Sequence, residues 1–221
     1  MFMRRLVGRP CAGWAALLAA LAAASPALAD PIIKNLGGGW QVTILQPAVS
    51  DINTVSVSLP NNELVIRKDA DFNLIDPDTG LPATISVVFE QIAPDAETVS
   101  RIKITEEVVR NNTPVDWDSF RILLFPNAKV EFDVDASAGF SIDPFTTRTY
   151  LALNSEVVFA GGLVPAGATW NPGADSGELV IDIDLSNDAP VAFTMKEQPV
   201  PEPASLAGLL VVAAASRRRL V

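Results

Sequence analysis

Thr54-Val55-Ser56-Val57-Ser58-Leu59 alternates strictly, with valine and leucine on one face and threonine or serine on the other. A period of two is the mark of a β-strand. Pro60-Asn61-Asn62 follows as a turn, and residues 63–67 return as a second strand. Working outward, residues 40–45 open a strand after the Gly37-Gly38-Gly39 break, and Asp76-Pro77-Asp78-Thr79-Gly80 is a further turn by composition. Residues 84–92 and 98–110 read as strong strands, the second with Ile102, Ile104 and Val108 as its inward residues. Residues 120–125 and 129–134 are expected to pair around Pro126-Asn127, and residues 156–159, 178–185 and 191–196 complete the set. Val87-Val88-Phe89 and Ile122-Leu123-Leu124-Phe125 are apolar on both faces, which suits central strands. About ten short strands separated by turns, with no long amphipathic helix between them, predict an all-β fold. The expected form is a single antiparallel β-sandwich, immunoglobulin-like or jelly-roll-like. No internal repeat of fixed period is visible.

The chain has 221 residues, with 26 acidic and 16 basic side chains. All 26 acidic residues fall between Asp30 and Glu202, a stretch that holds only ten of the basic ones and so carries a net charge near −16. Such a surface repels nucleic acid and offers many sites to divalent cations, although solubility is the commoner use of acidic charge. There is no histidine, and the single cysteine, Cys11, lies close to the N-terminus. Ser-His-Asp and Cys-His catalysis and nearly all zinc, copper and haem ligation are thereby removed. Carboxylate chemistry, lysine chemistry and oxygen ligation of hard cations remain.

Three groups of side chains are candidates for chemistry. Asp69, Asp71 and Asn73 begin like a calcium loop, and Asp76 and Asp78 follow. An EF-hand needs glycine at its sixth position and glutamate at its twelfth, where this chain has Leu74 and Gly80. A looser, oxygen-ligated calcium site stays open beside an aspartate-rich turn held by its own Asx hydrogen bonds. Asp182 with Asp184, and Asp133 with Asp135, are carboxylate pairs of the kind a glycosidase needs, but i, i+2 charges on a strand also mark its solvent side. Trp40, Trp117 and Trp170 are core residues or, exposed in a row, a platform for sugar rings. Trp170, in Gly167-Ala168-Thr169-Trp170-Asn171-Pro172-Gly173, has the most loop-like setting.

The ends of the chain concern transport. Arg4, Arg5 and Arg9 precede an apolar, alanine-rich run, and Pro26-Ala27-Leu28-Ala29 ends it. Small residues at Ala27 and Ala29 predict signal-peptidase cleavage before Asp30. At the other end stands Val200-Pro201-Glu202-Pro203-Ala204-Ser205-Leu206, then an apolar run, then Arg217-Arg218-Arg219. Two prolines keep the triplet extended and outside any following helix. The apolar run of 13 residues, 204–216, is shorter than the roughly 20 a spanning helix wants. Snorkelling arginines and local thinning close part of that gap. The arginines place the terminus in the cytoplasm by the positive-inside rule.

These last 22 residues resemble the PEP-CTERM sorting signal of exopolysaccharide-producing bacteria. The resemblance implies recognition by an exosortase, a membrane-embedded cysteine transpeptidase. Pro201, Glu202 and Pro203 would be its recognition triplet and Arg217, Arg218 and Arg219 the cytoplasmic stop. It also implies a precursor held in the membrane by its tail, then a place at the cell surface or in the extracellular matrix beside polysaccharide. Within the body, Asn111-Asn112-Thr113 followed by Trp117 and Phe120 is similar to a strand–turn–strand segment of several PEP-CTERM ectodomains, in which Trp117 and Phe120 would anchor the returning strand in the core.

The expected organisation is a signal peptide over 1–29, a β-sandwich over 30–199 and a sorting tail with a short transmembrane helix over 200–221. The expected function is a non-catalytic structural or interaction role, with no firm metal or cofactor. A carbohydrate- or calcium-dependent binding module is the first alternative. A carboxylate glycoside hydrolase is the second, and it requires two acids facing each other about 5–10 Å apart.

Overall fold

The structure is a computed structural model and describes residues 30–126, 128–186 and 189–201. The signal segment, and the tail from Glu202 onward, lie outside the described residues. The regular structure of the described residues is almost all strand, joined by turns and loops: β1 (Ile32–Gly37), β2 (Trp40–Ile44), β3 (Ser50–Ser58), β4 (Glu63–Phe72), β5 (Ile85–Gln91), β6 (Arg101–Asn111), β7 (Trp117–Phe125), β8 (Val130–Phe132), β9 (Thr147–Leu151), β10 (Glu156–Val164), β11 (Thr169–Trp170), β12 (Leu179–Ile183) and β13 (Ala192–Pro201). One 3₁₀ turn, Asp95–Glu97, interrupts them. Among the described residues no helix is long and apolar enough to cross a membrane.

The strands form two sheets. One runs β1-β2-β5-β13-β7-β10-β9, the other β3-β4-β6-β12-β8, with β11 added to β6. Side chains of both sheets make one core, in which Phe72 of β4 meets Trp117 and Phe120 of β7 at ring distances of 5.3 and 5.7 Å. The arrangement is all-β and sandwich-like, as the alternation of the sequence predicts.

Three expectations about pairing and facing need correction. First, the sheets are not wholly antiparallel, because β4 and β6 run parallel from Glu63↔Arg101 to Phe72↔Asn111. Parallel neighbours need a crossover between them, and here β5 supplies it by lying in the opposite sheet. Second, β7 and β8 do not pair, since the chain changes sheet between them. Third, Val55, Val57 and Leu59 are exposed, not buried. β3 is an edge strand whose register slips between Thr54 and Ser56, so its C-terminal half leaves the core face.

A similar slip decides the inside of β6. Ile66 pairs with Ile104, but Arg67 pairs with Glu106, so Thr105 is an extra residue. Such a bulge reverses the phase of everything after it. Ile102 and Ile104 face the core as expected, but beyond the bulge Glu107, Val109 and Asn111 are buried and Val108 is not.

The turn from β6 to β7 is built around Asn111. Its Nδ2 donates to the carbonyls of Val115 (2.9 Å) and Val164 (3.1 Å), and its Oδ1 accepts from the N–H and hydroxyl of Thr113. Trp117 Nε1 donates to the same hydroxyl at 3.2 Å. Trp117 and Phe120 are fully buried and do anchor the returning strand, although that strand enters the other sheet. Asn111→Ala takes the amide donor from the Val164 carbonyl and the side-chain acceptor from the Thr113 N–H, and is expected to cost about 2–4 kcal/mol in urea unfolding. A loss below about 0.5 kcal/mol would mean that water replaces the amide without penalty.

Candidate functional site

Two clusters of ionisable groups stand out, one open to solvent and one closed. The open one begins with cross-strand neighbours. Asp182 of β12 lies directly opposite Arg101 of β6, a position in which opposite charges meet. Arg101 grips Asp182 with two hydrogen bonds, Nε to Oδ1 at 2.7 Å and Nη2 to Oδ2 at 2.9 Å, and reaches Asp133 Oδ2 at 2.8 Å. Next along β6, Lys103 joins Glu63 at 2.7 Å and Glu178 at 3.1 Å. At the end of the strand, Asn62 and Ser100 exchange two hydrogen bonds, at 2.6 and 2.7 Å. Of these groups Asn62, Ser100, Arg101 and Asp182 border a cleft of about 650 Å³, whose polar walls also include Lys129 and Glu131. Its donors and acceptors suit a hydroxyl-rich or charged ligand. Asp182 and Asp133 are both committed to Arg101, and Asp184 caps its own turn by accepting from Ser186 N–H at 2.8 Å.

The closed cluster lies between the sheets. Lys68 of β4 and Glu107 of β6 are register partners, and Glu197 of β13 faces them from the opposite sheet. All three are buried to within 1 % of full burial. Lys68 Nζ donates to Glu107 Oε1 at 2.7 Å and also to Glu197 Oε2. Glu197 Oε1 has no hydrogen-bond partner. Burial, and then the charge of Glu107, push the Glu197 carboxyl well above the ordinary glutamate range, against the pull of Lys68. Burial works against the Lys68 charge, but the two carboxylates outweigh it and raise its pKa.

Apart from Asp133, Asp182 and Asp184, the residues singled out by the sequence fall elsewhere. Trp170 is a correction: it is 2 % exposed, among Phe120, Phe145 and Phe159 at ring distances of 5.0, 4.9 and 5.7 Å. Trp40 and Trp117 are also buried, so no tryptophan face among the described residues is open to a sugar ring. The calcium loop is a second correction. Asp69 and Asp71 lie within β4, and Asp71 accepts from Asn112 at 2.6 Å. Asp76 accepts the N–H groups of Asp78 (2.8 Å) and Thr79 (3.3 Å), which is the Asx-turn alternative. Asp69, Asp71, Asn73, Asp76 and Asp78 do not form a ligand set, and among the described residues no three acidic side chains converge as metal ligands do.

Asp30, at the expected cleavage point, is the first described residue and is exposed; Ala27 and Ala29 lie outside the described residues. Pro201 is the buried last residue of β13, register partner of Trp117, whereas Glu202, Pro203, Arg217, Arg218 and Arg219 lie outside the described residues. Lys68, Glu107, Glu197 and Arg101 were not anticipated. For two of them the signal was present. Lys68 has the parity of Leu64 and Ile66, and Glu197 that of Phe193 and Met195, so period-two reading carried one residue further along each strand puts both inside.

No protein-family model matches the chain, and no curated protein matches it in sequence.

Proposed function

We propose that the chain is an exported surface or extracellular-matrix component with a structural, non-catalytic role. In this reading a cleavable leader delivers a single sandwich domain, immunoglobulin-like or jelly-roll-like, and the C-terminal tail tethers it until an exosortase acts. The observation that carries the reading is the three-part tail, with its triplet Pro201, Glu202 and Pro203, its apolar run and its terminal arginines. The position of β13 supports it. That strand leads straight into the triplet and lies inside its sheet, paired with β5 from Ala192 to Glu197 and with β7 from Thr194 to Pro201. A pull on the tail is therefore taken by a strand hydrogen-bonded on both sides, while the other end of the domain, β1, is an edge strand with one partner. Pro199 and Pro201 fall beyond the last β5 partner, where a missing N–H is tolerated.

Fractionation with and without the exosortase tests the reading. The expected result is a species that begins at Asp30, lacks the arginine terminus and reaches the matrix only when the exosortase is present. A full-length C-terminus that stays in the membrane in both cases would reduce the tail to a plain anchor. The polar cleft beside Arg101 supports a second reading, a polysaccharide-binding module that works by hydrogen bonds. Binding of matrix polysaccharide that disappears on Asn62→Ala would favour it.

A further inference from the structure

We infer that Lys68 and Glu197 condense, in the folded protein, to an intramolecular amide that joins the two sheets, with Glu107 as the proton shuttle. The inference starts from composition and place. Three ionisable side chains, one amine and two carboxyls, touch one another in an otherwise apolar interior. On β13 the register partners of Glu197 are Ile85 of β5 and Ile122 of β7, both buried and apolar. The charged or titratable groups facing Glu197 are thus Lys68 of β4 and Glu107 of β6.

As an ion cluster this arrangement is poor. It buries a third ionisable group, Glu197, beside the Lys68–Glu107 pair, with Glu197 Oε1 accepting from no donor. Buried charge is stable only when fully paired and hydrogen-bonded. As a reaction site it is well made. Lys68 Nζ contacts both carboxyls, so the nucleophile, the acceptor and the acid–base group are already within hydrogen-bond reach. Burial, and then the charge of Glu107, push the Glu197 carboxyl toward its protonated form, which is the electrophilic one.

The step balances without an oxidant or a co-reactant. Lys68 passes a proton to Glu107, which leaves a neutral amine. The Nζ lone pair attacks Cδ of Glu197, and the N–C bond forms. Glu107 gives its proton to the departing hydroxyl and takes one from Nζ. The C–O bond breaks, one water leaves, and Glu107 ends as the acid. An amide and a neutral carboxyl replace three ionisable groups, so desolvated charge disappears. Departure of water from a dry interior favours the condensed state.

The join spans 129 residues of chain and fixes the strand that leads into the tail. Its existence does not depend on the proposed function, and the test below does not involve the exosortase. The full chain is purified folded, denatured and digested with trypsin, and the fragments are weighed. A branched peptide is expected that joins residues 68–101, left uncut after Lys68 because its amine is blocked, to the fragment beginning at Glu197, lighter by one water than those two segments together. Glu107→Gln, checked for folding by circular dichroism, is expected to lose it. Wild-type protein that is folded and yields the free fragments beginning at Asp69 and at Glu197 overturns the inference. A folded Glu107→Gln protein that still yields the branched peptide overturns the role given to Glu107. The wild-type measurement stands even if the variant does not fold.

Discussion

Replacing Lys68 by methionine is expected to lower the stability of the fold by about 3–5 kcal/mol, the cost of breaking a buried ion pair from one side. Methionine matches the stem of lysine and keeps the packing, so the loss isolates the ammonium group. Without it, Glu107 and Glu197 face each other with no cation, each less than 2 % exposed. The direction on the carboxyls is fixed by the same physics. Burial and mutual repulsion already raise the Glu197 pKa, and Lys68 is the group that opposes them. With Lys68 gone, one or both carboxyls must fold in protonated form. The penalty therefore grows as pH rises above 4.5, the ordinary glutamate value, because the unfolded chain releases protons there that the folded variant must keep. Where the Lys68–Glu197 amide has formed there is no ion pair to break, and the loss is that of the cross-link instead, since a closure of more than 100 residues constrains the unfolded chain by about 5 kcal/mol on the chain-entropy account. Urea unfolding at two pH values reads both features. A change below about 0.5 kcal/mol would show that Lys68 makes no buried ion pair.

That cluster shows where the sequence is legible and where it is not. The alternation of β4 is unbroken through Leu64, Ile66, Lys68, Ala70 and Phe72, and the residues between them are not buried. Lys68 therefore sits inside because its neighbours do, and period two was enough to place it. Glu107 is different. It becomes an inward residue only because Thr105 is an extra residue in the pairing with β4. A bulge is a property of two strands in register, and no local pattern in residues 101–111 announces it. The parallel partnership of β4 and β6 is hidden for the same reason, since it depends on β5 having left for the other sheet. The edge position of β3 likewise belongs to the sheet as a whole. It turned the cleanest alternation in the chain, 54–59, into an exposed one. The ends of strands were legible wherever a turn residue marks them, as at Asn62, which adopts φ 58°. Strands β1, β9 and β11 lack such contrast and passed unread. The ionic cleft needed the β6–β12 register, because only that puts Arg101 opposite Asp182.

Trp170→Ala is expected to cost about 3–5 kcal/mol, in the class of large-to-small core substitutions, and to lower the melting temperature by roughly 6–20 °C. Its setting explains both the effect and why the sequence left an open ring as an alternative to a core position. β11 is two residues long, between the positive-φ glycines Gly167 and Gly173, so its sequence reads as a loop. Yet Thr169 and Trp170 pair with Arg110 and Val109 of β6, which fixes the direction of the side chain. The indole then reaches across to the other sheet, where Phe120 of β7 and Phe159 of β10 meet it near edge-on, at 70° and 69°. Phe145 closes the far side at 90°. Edge-to-face rings of this kind add to simple burial. The one defect is the indole N–H, which has no hydrogen-bond partner. Trp170→Phe removes that orphan donor together with part of the packed volume, two changes of opposite sign, and is expected to cost less than about 1.5 kcal/mol. The pair of variants separates packing from recognition. A core role predicts a large loss with alanine, a small one with phenylalanine and equal affinity for matrix polysaccharide in whatever fraction stays folded. A stacking platform predicts the reverse, with stability intact and binding lost. The rings around Trp170 leave no face for a sugar, so the first pattern is the expected one.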